Sequence, residues 1–211
     1  MMANLVEQLQ AKKIVAIIRG ISYEQGDPTA QALLDGGVHF LEVTLNTDGA
    51  LKMISEMNEK YGDKLSIGAG TVLNLDMAKD AVAAGSKYIV SPNLDEAVID
   101  YGVSKGIEVW PGTLTPTEIV RAYEMGASAV KVFPIGSMGD DYLKNIRGPL
   151  PHIPMMVTGG ITIDNMNHYF SQGAIAAGLG GNLVNKSLIQ QGKYNEITKL
   201  AKQYIDKAQE G

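Results

Sequence analysis

The sequence predicts an α/β fold, namely a (β/α)8 TIM barrel with an extra N-terminal helix, and three observations lead to that prediction. Short, continuously apolar runs recur about 20 to 26 residues apart, most segments between them carry a helical pattern, and glycines separate helices from the next run. Continuously apolar strands are typical of a parallel sheet that is buried on both faces. Eight such units fit one barrel domain over residues 1–211,. An open doubly wound sheet is the alternative, although it usually has fewer strands.

The predicted elements follow one another along the chain. The extra helix carries Leu5, Val6 and Leu9. The eight predicted strands are Ile14–Ile18, His39–Val43, Leu65–Ala69, Lys87–Val90, Ile107–Trp110, Ser128–Phe133, Pro154–Val157 and Ile175–Leu179. Five glycines stand where a left-handed residue ends a helix before the next strand, namely Gly37, Gly85, Gly106, Gly126 and Gly173,. The last helix places its apolar residues on one face from Ile197 to Ala208,.

Composition excludes several classes of function. Lys and Arg total 18 against 23 Asp and Glu, giving a net charge of −5, which argues against a nucleic-acid groove or a patch for anionic membranes,. The sequence has no cysteine, so thiolate metal sites and cysteine nucleophiles are excluded, and its three His lie far apart,. We therefore expect no metal site. No apolar run reaches the ~18 residues of a membrane span, so we expect a cytoplasmic protein.

Lys131 and Glu42 are charged residues inside apolar strands. Active sites of (β/α)8 barrels form at the carboxyl ends of the strands, and Lys131 lies there in the sixth predicted strand. A buried ammonium group is costly unless it is paired, while burial favours the neutral amine that acts as a nucleophile. Glu42 and Thr44 point to one side of the second strand, because side chains alternate along a strand. Glu42 is then an acid/base, an electrostatic partner of Lys131, or part of a structural ion pair.

Two glycine-rich segments follow the seventh and eighth predicted strands, at Thr158–Gly160 and Gly178–Asn182. Phosphate sites of such barrels form in these two loops from backbone N–H groups, and glycine lets the backbone approach an anion closely. Arg19 ends the first strand, where it either holds an anionic group or is a solvated charge at the rim. These features predict a phosphate-binding barrel suited to Schiff-base chemistry on a carbonyl substrate.

Seven short motifs in order carry a family resemblance over about residues 5–185. They are Leu41–Leu45, Gly68–Val72, Ser91–Pro92, Pro111–Gly112, Lys131–Pro134, Arg147–Pro149 and Thr158–Ile161. Together they resemble the 2-keto-3-deoxy-6-phosphogluconate (KDPG) aldolase / 4-hydroxy-2-oxoglutarate (KHG) aldolase family of class I aldolases.

The resemblance implies a lyase that cleaves KDPG to pyruvate and glyceraldehyde 3-phosphate without a metal or cofactor, and that is usually a homotrimer. It implies that Lys131 forms a Schiff base with the substrate and that Glu42 moves protons through a water. The positions expected to bind the phosphorylated 2-keto acid are Arg19, Thr44, Asn46, Thr71, Pro92, Phe133, Thr158, Gly159, Gly160, Gly180, Gly181 and Asn182.

Three positions depart from the family pattern. Asn46 stands where the best-known members of the family carry an arginine for the substrate carboxylate, Asn182 where a serine is expected, and Asn93 where a glycine is expected. An amide cannot form a charged bidentate clamp, so we expect Arg19 to hold the carboxylate. An aldolase for a related 2-keto-3-deoxy acid phosphate, of the galactonate or amino-sugar series, is an alternative. Another phosphate-binding barrel enzyme, such as a thiazole- or indole-forming synthase, and a non-catalytic barrel are further alternatives.

Overall fold

The computed structural model describes residues 4–210 and has a parallel barrel surrounded by helices. The strands are β1 (Ile14–Ile18), β2 (Phe40–Thr44), β3 (Ser66–Gly70), β4 (Tyr88–Val90), β5 (Glu108–Trp110), β6 (Gly112–Thr113), β7 (Val130–Val132), β8 (Met155–Thr158) and β9 (Ala176–Leu179). The helices are α1 (Leu5–Lys12), α2 (Tyr23–Asp35), α3 (Ala50–Tyr61), α4 (Leu75–Ala83), α5 (Glu96–Ser104), α6 (Pro116–Glu124), α7 (Tyr142–Arg147), α8 (Met166–Ser171), α9 (Lys186–Gln190) and α10 (Tyr194–Gln209). The predicted barrel and its extra N-terminal helix are confirmed.

The nine strand segments form eight barrel strands. The sheet order is β5-β4-β3-β2-β1-β9-β8-β7-β6, and the paired strands are parallel. The two ends of that order, β5 and β6, are consecutive in the chain and separated only by Pro111, which has no N–H to donate,. The Pro111 carbonyl still accepts a hydrogen bond from the Lys131 N–H at 2.9 Å. The ring therefore continues across Pro111, which rules out the open doubly wound sheet.

The strand boundaries agree with the prediction to within about two residues. The five glycines predicted to end helices have φ between 68° and 97°, the left-handed region. Several strands begin one residue later than predicted, as β2 does at Phe40 instead of His39. The His39 carbonyl nevertheless accepts a hydrogen bond from the Ser66 N–H at 2.8 Å. The pairing of β2 with β3 therefore begins at His39, one residue before the start of β2.

A layer of large side chains fills the inside of the barrel towards the amino ends of the strands. The Tyr88 and Trp110 rings stack with centroids 4.2 Å apart, and Phe40 packs against both. Leu9 of α1 belongs to the same buried cluster, and the Leu5 N–H donates to Glu108 Oε1 at 2.9 Å. Helix α1 therefore closes the amino end of the barrel, and a substrate can enter only from the opposite end.

Among the described residues, no helix has the length and the apolar character that crossing a membrane requires.

Candidate active site

A polar layer lies directly above the aromatic layer, inside the barrel. Because side chains alternate along a strand, Glu42 follows Phe40 on the inner face of β2. In the same way, Lys131 lies above Ala129 at β7, and Thr158 lies above Met156 on β8. The three polar side chains are thus brought together near the carboxyl ends of their strands, where the sequence predicts the site.

Lys131 and Glu42 form a buried ion pair. The Lys131 Nζ lies 3.6 Å from Glu42 Oε1, and the two side chains are 4% and 0% exposed. This distance exceeds that of an ordinary N–H···O hydrogen bond. Among the described residues, neither Glu42 oxygen has a hydrogen-bond partner. Burying a carboxylate in this state is costly, so both oxygens are available to accept a proton or a hydrogen bond from a bound molecule.

Glycines on neighbouring strands make the space that these polar side chains occupy. A Cβ atom on Gly70 would lie 2.1 Å from Glu42 Oε1, and one on Gly178 would lie 2.4 Å from Thr158 Oγ1. Glycine inside a strand weakens it and often marks a close approach of another group. Gly70 of β3 and Gly178 of β9 are therefore glycines because any side chain there would collide with Glu42 or Thr158.

Tyr88 lies beneath Glu42 in the barrel. Its hydroxyl donates a hydrogen bond to the Leu41 carbonyl at 2.7 Å. Complete burial, together with the negative charge of Glu42, raises the pKa of the Tyr88 phenol well above its usual value. The phenol therefore stays neutral, and the side chain beneath the Glu42 carboxylate carries no charge.

Arg19 and Thr71 meet at one side of the site. Arg19 Nη2 donates to Thr71 Oγ1 at 3.3 Å. Thr71 directly follows β3 with φ of 58°, which is a strained conformation for a β-branched residue,. Strain of this kind costs roughly 1–3 kcal/mol and concentrates at functional sites. The strained backbone of Thr71 therefore supports a binding role for its hydroxyl.

A cavity of about 500 Å³ opens above Lys131. Most of the predicted site residues line it, namely Arg19, Thr71, Pro92, Lys131, Phe133, Thr158, Gly159, Gly160, Gly180, Gly181 and Asn182. The Phe133 ring centroid lies 5.6 Å from Lys131 Nζ, so an apolar wall stands beside the amine.

A hydrogen bond joins the two segments that carry the glycine-rich loops. Gly159 and Gly160 have φ of 93° and 76°, and a Cβ on Gly159 would lie 3.2 Å from atoms of Phe133 and Pro134. Asn182 Nδ2 donates to the Ile161 carbonyl at 2.6 Å. Asn182 therefore ties the loop after β9 to the loop after β8 and keeps its second amide hydrogen for another acceptor.

Three predicted residues do not line the cavity. Glu42 lies behind Lys131, in contact with it. The buried Thr44 hydroxyl donates to the Ile18 carbonyl at 3.3 Å and lies 3.1 Å from the Thr47 hydroxyl. A turn closed by the Thr47 N–H and the Thr44 carbonyl, 2.9 Å apart, follows β2, and Asn46 lies exposed within it. The structure therefore does not bring Thr44 and Asn46 to the cavity as substrate contacts.

Five cavity residues are absent from the predicted set, namely Ile17, Ile161, Gly178, Val184 and Lys186. Strand alternation could have identified Ile17, which pairs with Glu42 in the register of β1 and β2. Lys186 begins α9, four residues after Asn182, and no pattern in the sequence distinguishes it from other exposed lysines.

Comparisons with known proteins show which family the chain resembles. The family model described as KDPG and KHG aldolase matches residues 5–200. The 2-dehydro-3-deoxy-6-phosphogalactonate aldolase of Escherichia coli K12 is 36% identical over 171 residues, which are 81% of this chain and 83% of the relative. The 2-dehydro-3-deoxy-phosphogluconate aldolase of Treponema pallidum is 32% identical over 205 residues, which are 97% of each chain.

Solved structures show the same fold at similar identity. KDPG aldolase from Legionella pneumophila, with pyruvate captured as a covalent carbinolamine intermediate, superposes with a TM-score of 0.88 at 30% identity. The alignment covers 96% of this chain and 98% of that one. A native KDPGal structure gives a TM-score of 0.87 at 32% identity, with 93% and 94% covered. The chain therefore belongs to the KDPG and KHG aldolase family, whose members are class I aldolases.

Proposed function

We propose that this aldolase cleaves KDPG to pyruvate and glyceraldehyde 3-phosphate through a Schiff base on Lys131. Within the same proposal, it also cleaves 4-hydroxy-2-oxoglutarate to pyruvate and glyoxylate. The observation that carries the proposal is the buried pair of Lys131 and Glu42 beneath the cavity, 3.6 Å apart. An amine and a carboxylate in contact are the two groups that Schiff-base aldol chemistry requires.

The proposed reaction begins when the Lys131 amine attacks the C2 carbonyl and forms a carbinolamine, which loses water to give an iminium ion. Glu42 takes up the proton that the Lys131 ammonium group loses on becoming the free amine, and it returns this proton, through a bridging water molecule, to the hydroxyl group that leaves as water. A base then removes the C4 hydroxyl proton, the C3–C4 bond breaks, and its electron pair moves into an enamine. The aldehyde leaves, the enamine is protonated at C3, and hydrolysis returns pyruvate and the free amine. Glu42 is the group placed to move these protons, because both of its oxygens lack other partners among the described residues.

The proposed substrate is held at both ends. Arg19 and Thr71, 3.3 Å apart, bind the carboxylate, and the loops at Gly159–Gly160 and Gly180–Gly181 approach the phosphate. Arg19 thereby replaces the arginine that the family carries at the position of Asn46. A charged bidentate contact is available from Arg19 and not from an amide.

The galactonate epimer of KDPG is a second candidate substrate, favoured by the 36% identity to the aldolase of that name from Escherichia coli. The two substrates differ only in the configuration of the C4 hydroxyl, and both contain a carboxylate and a phosphate. Measuring kcat/KM for both epimers decides between them, and a higher value for the galactonate epimer would reassign the substrate.

Borohydride reduction in the presence of pyruvate tests the Schiff base. We expect the wild-type protein to gain the mass of one reduced pyruvate adduct, located by peptide mapping on Lys131. Lys131→Met removes the amine, and Lys131→Arg keeps the positive charge beside Glu42 without an amine that forms an imine. Both variants should stay folded by circular dichroism and remain unlabelled. Labelling of another lysine in the wild-type protein would overturn the assignment.

The location and the assembly of the enzyme also belong to the proposal. Following the family resemblance, we propose that the single domain acts in the cytoplasm as a homotrimer. Light scattering after gel filtration measures the assembly, and a monomer in that measurement would contradict it.

A further inference from the structure

Lys186 is a cation of the cavity that no sequence motif identifies. It is the first residue of α9 and lines the same cavity as Arg19, Gly180 and Gly181. A Cβ atom on Gly20 would lie 2.7 Å from Lys186 Nζ. The ammonium group therefore lies against the backbone of Gly20, one residue after Arg19, and α9 and the end of β1 together position it at the cavity mouth.

The ammonium group of Lys186 has no partner in the described part of the chain. No carboxylate forms an ion pair with it, and no hydrogen bond involves it, between residues 4 and 210. Other lysines do have partners, as Lys60 does with Asp27 at 2.7 Å. Because an ammonium group carries three donors, Lys186 is free to bind an anion in the cavity.

The cavity is cationic although the protein is acidic. Arg19, Lys131 and Lys186 line it, and none of the described lining residues is Asp or Glu. The nearby Glu42 is already paired with Lys131, whereas the whole chain has a net charge of −5. A cleft lined by one sign of charge raises the local concentration of ligands of the opposite sign. Arg19 and Lys186, which form no ion pair among the described residues, therefore remain to bind the anionic groups of a substrate.

The positions of the three cations assign a different group to each. Lys131 lies deep in the barrel, where the proposed reaction places the C2 carbonyl, and the carboxylate carbon is bonded directly to C2. Arg19 contacts Thr71 at the side of the site. The phosphate, on C6, lies at the far end of the substrate from the carboxylate, and the cavity residues left to receive it after β9 include Gly180, Gly181 and Lys186.

We propose that Lys186 binds the phosphate of the substrate and makes the enzyme prefer phosphorylated over unphosphorylated 2-keto-3-deoxy acids. This inference rests on the proposed aldolase function. It adds a cation to a phosphate site that otherwise consists of backbone N–H groups and the Asn182 amide. Phosphate, with a charge near −2 at neutral pH, gains more from this contact than an uncharged hydroxyl does.

Kinetics on a matched pair of substrates test the proposal. KDPG and 2-keto-3-deoxygluconate have the same carbon skeleton and differ in the phosphate alone. We expect Lys186→Met to raise KM for KDPG by roughly 10- to 150-fold, the range for a lost hydrogen bond to a charged group. The KM for 2-keto-3-deoxygluconate should stay unchanged, and Lys186→Arg should restore most of the KDPG affinity. Added salt should weaken KDPG binding less in Lys186→Met than in wild type.

Two variants serve as controls. Lys193→Met removes an exposed lysine seven residues further along that does not line the cavity, and it should leave both KM values at wild-type levels. Arg19→Met removes the proposed carboxylate contact and should raise KM for both substrates. Equal losses on the two substrates in Lys186→Met, or no change on either, would overturn the assignment.

A binding measurement separates this proposal from the aldolase function. Isothermal calorimetry with inorganic phosphate needs no turnover, and we expect wild-type protein to bind phosphate about tenfold or more tightly than Lys186→Met. Equal affinity would overturn the role of Lys186 whatever the reaction is. Failure of pyruvate labelling on Lys131 would instead overturn the Schiff base while the phosphate comparison still stands.

Discussion

Lys131 and Glu42 are individual residues that local sequence identifies well. Each is a charged side chain inside an apolar strand of a barrel, and burial of such a group is costly unless it is paired. Their separation of 3.6 Å could not be predicted, because it depends on how far β2 and β7 are brought round the ring. The space that Gly70 leaves for the Glu42 carboxylate likewise becomes visible only when β2 and β3 are placed side by side.

Glu42→Gln tests the proton-transfer role at the scale of one residue. The amide is nearly isosteric with the carboxylate but cannot accept and return a proton. We expect kcat for KDPG cleavage to fall by ~10²–10⁴, the usual range for the loss of a general acid/base. Stopped assays of pyruvate release at saturating KDPG measure this, with Glu59→Gln as an exposed control that keeps full activity. A kcat close to the wild-type value would reduce Glu42 to a structural partner of Lys131.

Arg19 and Lys186 show where local sequence stops being informative. Both are exposed residues just outside a strand or at the start of a short helix, and many charged residues of a surface fit that description. The sequence leaves Arg19 open to two interpretations, because a strand end alone does not fix the direction of the side chain. Lys186 depends on contact with Gly20, which lies more than 160 residues away in the chain.

Strands and helix ends could be predicted because their signals are local. A left-handed glycine after a helix needs only its own backbone, and the five predicted glycines adopt that conformation. That the ring continues across Pro111 is a tertiary feature, since it depends on the hydrogen bond that the Lys131 N–H donates to the Pro111 carbonyl. Similarly, the turn that holds Asn46, which does not line the cavity, begins at Thr44, the last residue of β2, and strand alternation does not describe it.

The loop after β9 provides a prediction at the scale of an element. A Cβ atom added to Gly181 would have no other atom within 4 Å, and the φ of this residue is not left-handed. Gly181→Ala therefore adds a methyl group at a cavity-lining residue without displacing any other atom of the protein. If the phosphate approaches this backbone, we expect KM for KDPG to rise about tenfold, equivalent to ~1.4 kcal/mol of binding free energy. The KM for 2-keto-3-deoxygluconate should change little.

Gly139→Ala is the matched control for this loop, because Gly139 also has open space around its Cβ position and does not line the cavity. It should leave both KM values unchanged. A Gly181→Ala variant with unchanged KM for KDPG would mean that the loop after β9 does not contact the phosphate. Gly160 is a poorer probe, since its φ of 76° and the nearby Gly136 Cα, 3.1 Å from the added Cβ, would strain any side chain.

Across the whole molecule, stability and chemistry are placed at opposite ends of the barrel. The amino end is filled by the aromatic layer and covered by α1, whereas the carboxyl end holds Lys131 and the cavity. The second end carries costs of its own, namely the strained Thr71 backbone, the buried Glu42 oxygens without hydrogen-bond partners among the described residues, and the ammonium group of Lys186 at the cavity. The packed first end offsets these costs, because large side chains that are fully buried contribute strongly to stability.

Leu9→Ala tests this separation. Leu9 is fully buried between α1 and the aromatic layer, and removing a buried leucine side chain leaves a cavity that costs about 2–5 kcal/mol. For a chain of this size we expect the melting temperature to fall by roughly 4–20 °C. The folded variant should still be labelled by pyruvate and borohydride on Lys131, and its kcat at 25 °C should stay near the wild-type value, because the cavity above Lys131 is untouched. Leu51→Ala, at a position 38% exposed, should lower the melting temperature much less. A loss of labelling in folded Leu9→Ala protein would contradict this separation. It would show that packing at the amino end of the barrel controls the geometry of the Lys131–Glu42 pair, because the two ends would then be coupled through the barrel interior.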